Sequence, residues 1–415
     1  MAGISSALAA SQFTKRVDLL SEEDGVYSRP AITSVISGKV RSRKQIEIFH
    51  RTDLKRNGVR TYNNVRVEAL DVNKKRARSV IRGRRRLVEY ERIVIATGSR
   101  PLVPRVMNTR LKGAYTVKWT ADAVSLSSYA LAGRKALVLG GGFVGLEAAE
   151  ALRNRGLEVT VIEKRANLLP YILDSELAGD VASRALKRHI NLILNSTIDE
   201  IGGRRKVEWV MLNGQKTRTH IVVFAIGSRP VTDLIADAGI ELAPNGAIRT
   251  NDCMRTNIAD TYAAGDCAET LDLCSGKRLY RPLGTVAVRS GEIAGSNAAG
   301  NPLPYHGFLR RQYDNIFGLD ILSMGLDAAS ASDLGIATKV FEIRDRQQPK
   351  DVFHRPRCET RMKAIARRND SVIVGFQMTG LPRYRASYSL PFEDMIRRHV
   401  PVTDLVQVGL EASPT

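Results

Sequence analysis

Cysteine is scarce in this 415-residue chain, and the four present, Cys253, Cys267, Cys274 and Cys358, form no C-x-x-C pair and no zinc-ligand spacing. A redox pair close in sequence and a zinc knuckle are thereby excluded, and each thiol is expected to be a small structural hydrophobe. Histidine numbers six with no H-x-x-x-H, so no metal site is indicated. Aromatics make up 6% beside an ordinary apolar content of 43%, the balance of a soluble globular chain. No apolar run approaches the length needed to span a bilayer, and no charged segment leading into an apolar one opens the chain. The expected location is the cytoplasm, away from the membrane. Solenoid repeats and low-complexity tracts are also absent.

The most informative shortage is of glycine at the start. "MAGISSALAASQFTKRVDLLSEED" has the grammar of a helix, a basic connector and a strand ending in acid, yet of a G-x-G-x-x-G turn only Gly3 is present. It reads as a βαβ unit without its first strand. Acid is short too: the net charge is +20, and from Lys39 to Arg86 17 Lys or Arg stand against four Asp or Glu, a net +13. A solvated basic surface explains this, as does attraction to an acidic partner. Nucleic acid is not expected, because no aromatics interleave with "RGRRR" as a stacking platform needs.

The chain is long enough for two or three domains. "KALVLGGGFVGLEAAEALRNRGLEVTVIEKRANLLP" is a complete βαβ unit: an apolar strand, Gly140, Gly142 and Gly145 in G-x-G-x-x-G, an amphipathic helix, and a second strand ending at Glu163. Those glycines serve the tight turn, the approach of a pyrophosphate and helix–strand packing, and the helix N-terminus favours the anion. Glu163, 18 residues after Gly145, can accept from a ribose 2′-OH, which favours NADH over NADPH; Arg165 relaxes that choice. "YERIVIATGSRP" and "HIVVFAIGSRP" place Gly98 and Gly227 in turns at strand ends, where open α/β sheets bind ligands. Gly265 and Asp266 in "TYAAGDCAE" follow another small-residue strand, and "YRPLGTVAVRSGEIAGSNAAG" predicts a helix able to approach a backbone closely. After Pro304 the stretches "FGLDILSMGL", "GIATKVFEI", "RMKAIARR" and "SVIVGFQMTG" predict antiparallel strands, with a closing helix over about 390–410.

In this order, the motifs resemble the two-dinucleotide-binding-domain flavoproteins of the pyridine nucleotide-disulfide oxidoreductase superfamily, over essentially the whole chain. "YSRPAIT" resembles the ferredoxin and rubredoxin reductase branch; the last third resembles the interface domain of coenzyme A disulfide reductases and NADH oxidases. The resemblance implies an α/β fold of two Rossmann-like domains, for FAD and NAD, plus a C-terminal α+β interface domain. The expected bounds are 1–112 for the first part of the FAD-binding domain, 113–240 for the NAD(P)H-binding domain, 241–303 for the rest of the FAD-binding domain, and 304–415 for the interface domain. It implies hydride transfer from NADH to FAD and a homodimer. Gly3 then matches the last glycine of the FAD turn and Glu22 the acid on the adenosine ribose. Arg29 and Pro30 lie beside the flavin and Val67 by the adenine. Thr97 and Gly98 come near the diphosphate, and Gly265 with Asp266 by the ribityl chain. Gly140, Gly142, Gly145, Glu163 and Gly227 serve NAD, and Glu147 matches a glutamate near the nicotinamide, its alternative being a charge favoured by the helix dipole.

Two departures from the resemblance bear on chemistry. Pro30 stands where coenzyme A disulfide reductases carry the redox cysteine, and Ser34 where ferredoxin-reductase relatives often carry a lysine. Without that thiol the flavin must pass electrons directly to an acceptor: dioxygen, a quinone or dye, or a ferredoxin- or rubredoxin-type protein of acidic charge. The opening and the ending "GLEASPT" lead to the expectation that the natural frame begins upstream and runs on further, and that this chain holds FAD poorly. The competing expectation is a truncated or degenerate flavin-free NAD-binding protein.

Overall fold

The computed structural model describes residues 1–415 except 82, 107, 346–359, 381–384 and 415, so Cys358 lies outside the described residues. Helix α1 (Ala2–Ser11) is built, apart from Ile4 and Leu8, of Ala, Gly and Ser. Strands β1 (Val17–Ser21) and β2 (Val59–Asn63) pair in parallel, Leu19 opposite Thr61. Between them the short helix Ile32–Ile36 buries Ile32, Val35 and Ile36. A three-stranded antiparallel meander follows, Val65–Asp71, Arg76–Ile81 and Arg84–Glu89. Along its middle strand Ala77 and Ser79 are buried while Arg76 and Arg78 face solvent, the period of two of a half-covered strand. Arg66, Arg84, Arg85 and Arg86 are exposed as well, so this sheet presents a row of arginines to solvent. Strand β3 (Ile93–Ile95) and the short strand Ser99–Pro101 lead out of it.

The next segment contains β4 (Lys135–Leu139), α2 (Phe143–Asn154), β5 (Glu158–Ile162) and β6 (Ile221–Phe224). They belong to a five-stranded parallel sheet in the order Ala114–Thr116, β6, β4, β5, Ile190–Ile193. Both faces are covered, which is why β4 and β6 read as continuous apolar runs. Ala136, Val138, Ile221 and Val223 join the core under α2 with Leu146, Ala149 and Leu152. Leu137, Leu139, Val222 and Phe224 face the other way, against Ile201, Val207 and Val210 of an antiparallel hairpin layer. Each such fully buried aliphatic side chain contributes about 1.5–3 kcal/mol.

Ser228–Pro230 pairs antiparallel with Ser99–Pro101 and joins the two nucleotide-binding regions. Ile235, Ala238 and Ile240 already pack with Leu70, Ile95 and Ala263, so we place the return to the first domain near residue 230 rather than 240. Strand β7 (Thr261–Ala263) pairs in parallel with β3, and α3 (Gly284–Ala298) crosses α1 backbone to backbone. A Cβ at Gly291 would lie 2.4 Å from the Ala2 carbonyl oxygen and one at Gly295 2.1 Å from that of Ser6, so only glycine permits this contact.

The last third is a six-stranded antiparallel sheet in the order Arg311–Ile316, Leu319–Gly325, Ile373–Gly380, Arg361–Arg367, Thr338–Asp345, Leu410–Pro414. Phe376 stacks on Phe392 of the helix Arg385–Arg397, with centroids 3.7 Å apart. The helix expected over 390–410 is therefore corrected: it stops at Arg397, a 3₁₀ turn covers Val402–Val408, and Leu410–Pro414 is an edge strand. Pro401 lacks the N–H that would continue the helix, and Gly409, at φ +76°, turns the chain into the sheet.

In the first domain β1 pairs with β2 and β3 with β7, and the two pairs remain separate sheets among the described residues. A cavity of about 1830 Å³ lies between them, lined by Val17 and Leu19 of β1, Val94 and Ile95 of β3, and Ile4 and Ala7 of α1. No described helix is long and apolar enough to cross a membrane.

Candidate functional site

The glycine turn after β4 does three separate jobs. Gly140 adopts φ +105°, and a Cβ there would lie 2.3 Å from the carbonyl oxygen of Ala225 at the end of β6. A Cβ on Gly145 would stand 1.9 Å from the carbonyl oxygen of Gly140, so α2 seats on the turn only without a side chain. At Gly142, which caps α2, a Cβ would meet nothing within 4 Å; this is the open side, where the amides of a 12-residue helix present their positive end. Gly227 follows β6 with φ +104°.

Glu163 is 7% exposed, and its carboxylate accepts from the backbone N–H of Gly141 at 2.7 Å and of Arg165 at 2.8 Å. It ties the glycine turn to the end of β5, while each oxygen keeps a lone pair for a further donor. The Arg165 guanidinium lies 4.3 Å over the Tyr171 ring and donates to its hydroxyl.

Glu147, in the first turns of α2, reaches the C-terminal sheet. Burial, then a hydrogen bond donated to Asp314 and the charges of Asp314 and Glu150, push its carboxyl up to about 10. Glu150 is raised by burial against the opposing effect of Arg188, and it accepts from the Phe317 N–H at 3.1 Å.

Five of the residues expected around FAD line the large cavity: Gly3, Glu22, Arg29, Val67 and Thr97. Pro30 is exposed beside the start of the helix Ile32–Ile36. Gly98, whose carbonyl accepts from Val231 N–H at 2.9 Å, and Gly265, whose N–H donates to Ser290 Oγ at 3.0 Å, form the strand-end turns after β3 and β7. Asp266 accepts from Ser99 Oγ at 2.8 Å and lies 3.3 Å from Lys118 Nζ. Lys118 was invisible to motif reasoning, since nothing in "YTVKWT" signals a ligand; burial lowers its ammonium below the usual range, opposed by Asp266. Arg29 lies 4.7 Å over the Trp119 ring, pairs with Glu23 and donates to the Lys118 carbonyl at 2.6 Å. The cavity exceeds the ~300–1,000 Å³ of sites for drug-sized ligands, and it joins apolar strand faces to a charged end. It therefore has the size and the mixed apolar and charged wall that a dinucleotide such as FAD requires.

None of the described thiols lies on this wall. Cys267 is fully buried, its Sγ 3.3 Å from the carbonyl oxygens of Ile95 and Ala264, and burial raises its pKa. Burial, reinforced by Asp272, pushes Cys274 up to about 12, and Cys253 is half-buried.

Residues 1–291 match the family described as pyridine nucleotide-disulphide oxidoreductase. An NADH oxidase of Methanocaldococcus jannaschii is 32% identical over 338 residues, covering 80% of this chain and 75% of the relative. An NAD(P)H sulfur oxidoreductase (CoA-dependent) of Pyrococcus furiosus is 28% identical over 379 residues, 90% of this chain and 85% of the relative. Among solved structures, an NAD-dependent persulfide reductase from A. fulgidus superposes with a TM-score of 0.91 at 25% identity, covering all of this chain and 78% of that one.

Proposed function

Because this chain belongs to the pyridine nucleotide-disulphide oxidoreductase family, we propose that it oxidises NADH at a bound FAD and delivers the electrons to an external acceptor without a redox thiol. The coarser statement is secure: the chain is an FAD-dependent NAD(P)H oxidoreductase; Glu163 at the end of β5 supports NADH as the donor. When bound, FAD supplies a centre that takes a hydride from the nicotinamide and gives up two electrons. Gly140, Gly142 and Gly145 seat the coenzyme pyrophosphate, Glu163 fixes their turn, and Glu147 sits on α2 toward the nicotinamide. Gly3, Glu22, Arg29, Pro30, Val67, Thr97, Gly98, Gly265 and Asp266 hold the FAD.

The observation that carries the thiol-free route is the placement of cysteine. Pro30 stands at the mouth of the helix where the family's nucleophile is expected, and Cys267 and Cys274 are held as thiols by burial. Anaerobic titration of the flavin absorbance with NADH tests it. One NADH per FAD is expected at the endpoint; two would reveal a second two-electron centre and defeat the reading. A colourless protein that binds NADH would instead leave a flavin-free coenzyme-binding chain.

The acceptor is dioxygen, a quinone or dye, or an acidic one-electron protein of the ferredoxin or rubredoxin kind. The exposed arginines of the meander favour the last. Its rate should fall as salt rises; a rate independent of ionic strength removes it. A homodimer through the C-terminal sheet belongs to the same reading and is checked by sedimentation.

A further inference from the structure

Three segments far apart in sequence bring charge to or just behind one end of the cavity. Arg29 pairs with Glu23, both on the wall. Behind them Lys118 donates to Ser99 Oγ and lies 3.3 Å from Asp266 Oδ2, which also accepts from Ser99 at 2.8 Å. The backbone of Lys118 is fixed by Arg29, which donates to its carbonyl at 2.6 Å, and its neighbour Trp119 lies under the Arg29 guanidinium. The Lys118 side chain is only 19% exposed. A long cation held this far from water, locked at its own carbonyl and at its ammonium, is a placed charge rather than a surface ion pair. Ser34, five residues on from Arg29, brings no charge.

We propose that Lys118 is the positioning residue that sets the electron affinity of the bound flavin: its ammonium, delivered beside Arg29 and Asp266 from a different segment, favours the reduced, more negative form of the cofactor. This rests on FAD occupying the cavity with Asp266 on its polyol. A hydroxyl that donates to Asp266 shares the carboxylate with Lys118, and the ammonium then acts on the flavin with less of its charge offset. With its side chain only 19% exposed, such a charge acts more strongly than it would at the open surface.

The test uses the FAD-loaded chain as wild type, Lys118→Met, Lys118→Gln and Lys118→Arg. Flavin midpoint potential is read by equilibration with a reference dye, and the affinity for sulfite, which adds reversibly to electron-poor flavins, is read from the flavin absorbance. Lys118→Met and Lys118→Gln are expected to weaken sulfite binding about tenfold or more and to lower the potential by about 30 mV or more, the equivalent of tenfold for a two-electron couple. Lys118→Arg should keep both within about threefold of wild type, because it keeps the charge. Unchanged potential and sulfite affinity in flavin-loaded Lys118→Met overturn the proposal. So does loss of FAD from both neutral variants with retention in Lys118→Arg, which would make Lys118 a holding residue. Failure of the wild type to take up FAD is a different result: it defeats the flavin reading itself.

Discussion

Glu147→Gln should stabilise the protein above neutral pH and do nothing in acid. Glu147 is held protonated in the folded chain, pushed from an ordinary 4.5 to about 10 chiefly by burial and by donation to Asp314. Between those two values the unfolded chain ionises this carboxyl and the folded chain does not, so stability falls as pH rises, by about 1.36 kcal/mol per unit. At pH 7 the full shift amounts to about 3.4 kcal/mol by that slope. Glu147 keeps some contact with solvent, so about 2 kcal/mol is the figure to expect. Glutamine donates the same hydrogen bond to Asp314 and cannot ionise. Its stabilisation should be near zero at pH 4, about 2 kcal/mol at pH 7 and larger at pH 8.5. For a unit of 150–250 residues this raises Tm by roughly 4–8 °C. Thermal unfolding of both proteins across that pH range is the assay. A difference that stays constant with pH, or a variant less stable at pH 8.5, would show that Glu147 carries its charge in the fold and refute the reasoning.

Gly145→Ala places a Cβ 1.9 Å from the Gly140 carbonyl oxygen; about 1–3 kcal/mol of overpacking is expected, with NADH binding weakened at least about tenfold in a calorimetric titration while FAD content stays unchanged. Arg310→Met strands Asp327, since the two side chains are 4% and 2% exposed and 3.3 Å apart; urea unfolding should show a loss of about 3–5 kcal/mol. Cys267→Ala removes a fully buried sulfur and should cost about 1 kcal/mol, yet leave the NADH-to-FAD endpoint at one equivalent. A shift in that endpoint would implicate the thiol in electron transfer.

Legibility followed range. The glycine turn was readable because its requirements are local: one strand end, one turn and one helix start, all within a dozen residues. Four of the six C-terminal strands were readable from apolar runs and turns; Arg311–Ile316, with two aliphatic or aromatic residues among polar ones, was not, nor was the last, where a short segment after Gly409 could have continued as helix and instead bonds to Thr338–Asp345. The boundary near residue 230 was less readable, since "VTDLIADAGI" carries apolar residues that would suit either domain, and only packing with Leu70 and Ile95 assigns them.

The amino-acid order alone determined that two dinucleotide-type units exist, that the turn after β4 needs its glycines, and that position 30 is proline rather than cysteine. Those features are fixed by backbone geometry and residue identity, which a linear string carries. Tertiary structure decided which charges meet. Glu147 faces Asp314 across 167 residues and Lys118 reaches Asp266 across 148, and Glu163 turns its carboxylate onto the glycine turn it was expected only to follow. A buried charge takes its protonation from neighbours within a few ångströms, and folding, not sequence separation, chooses those neighbours.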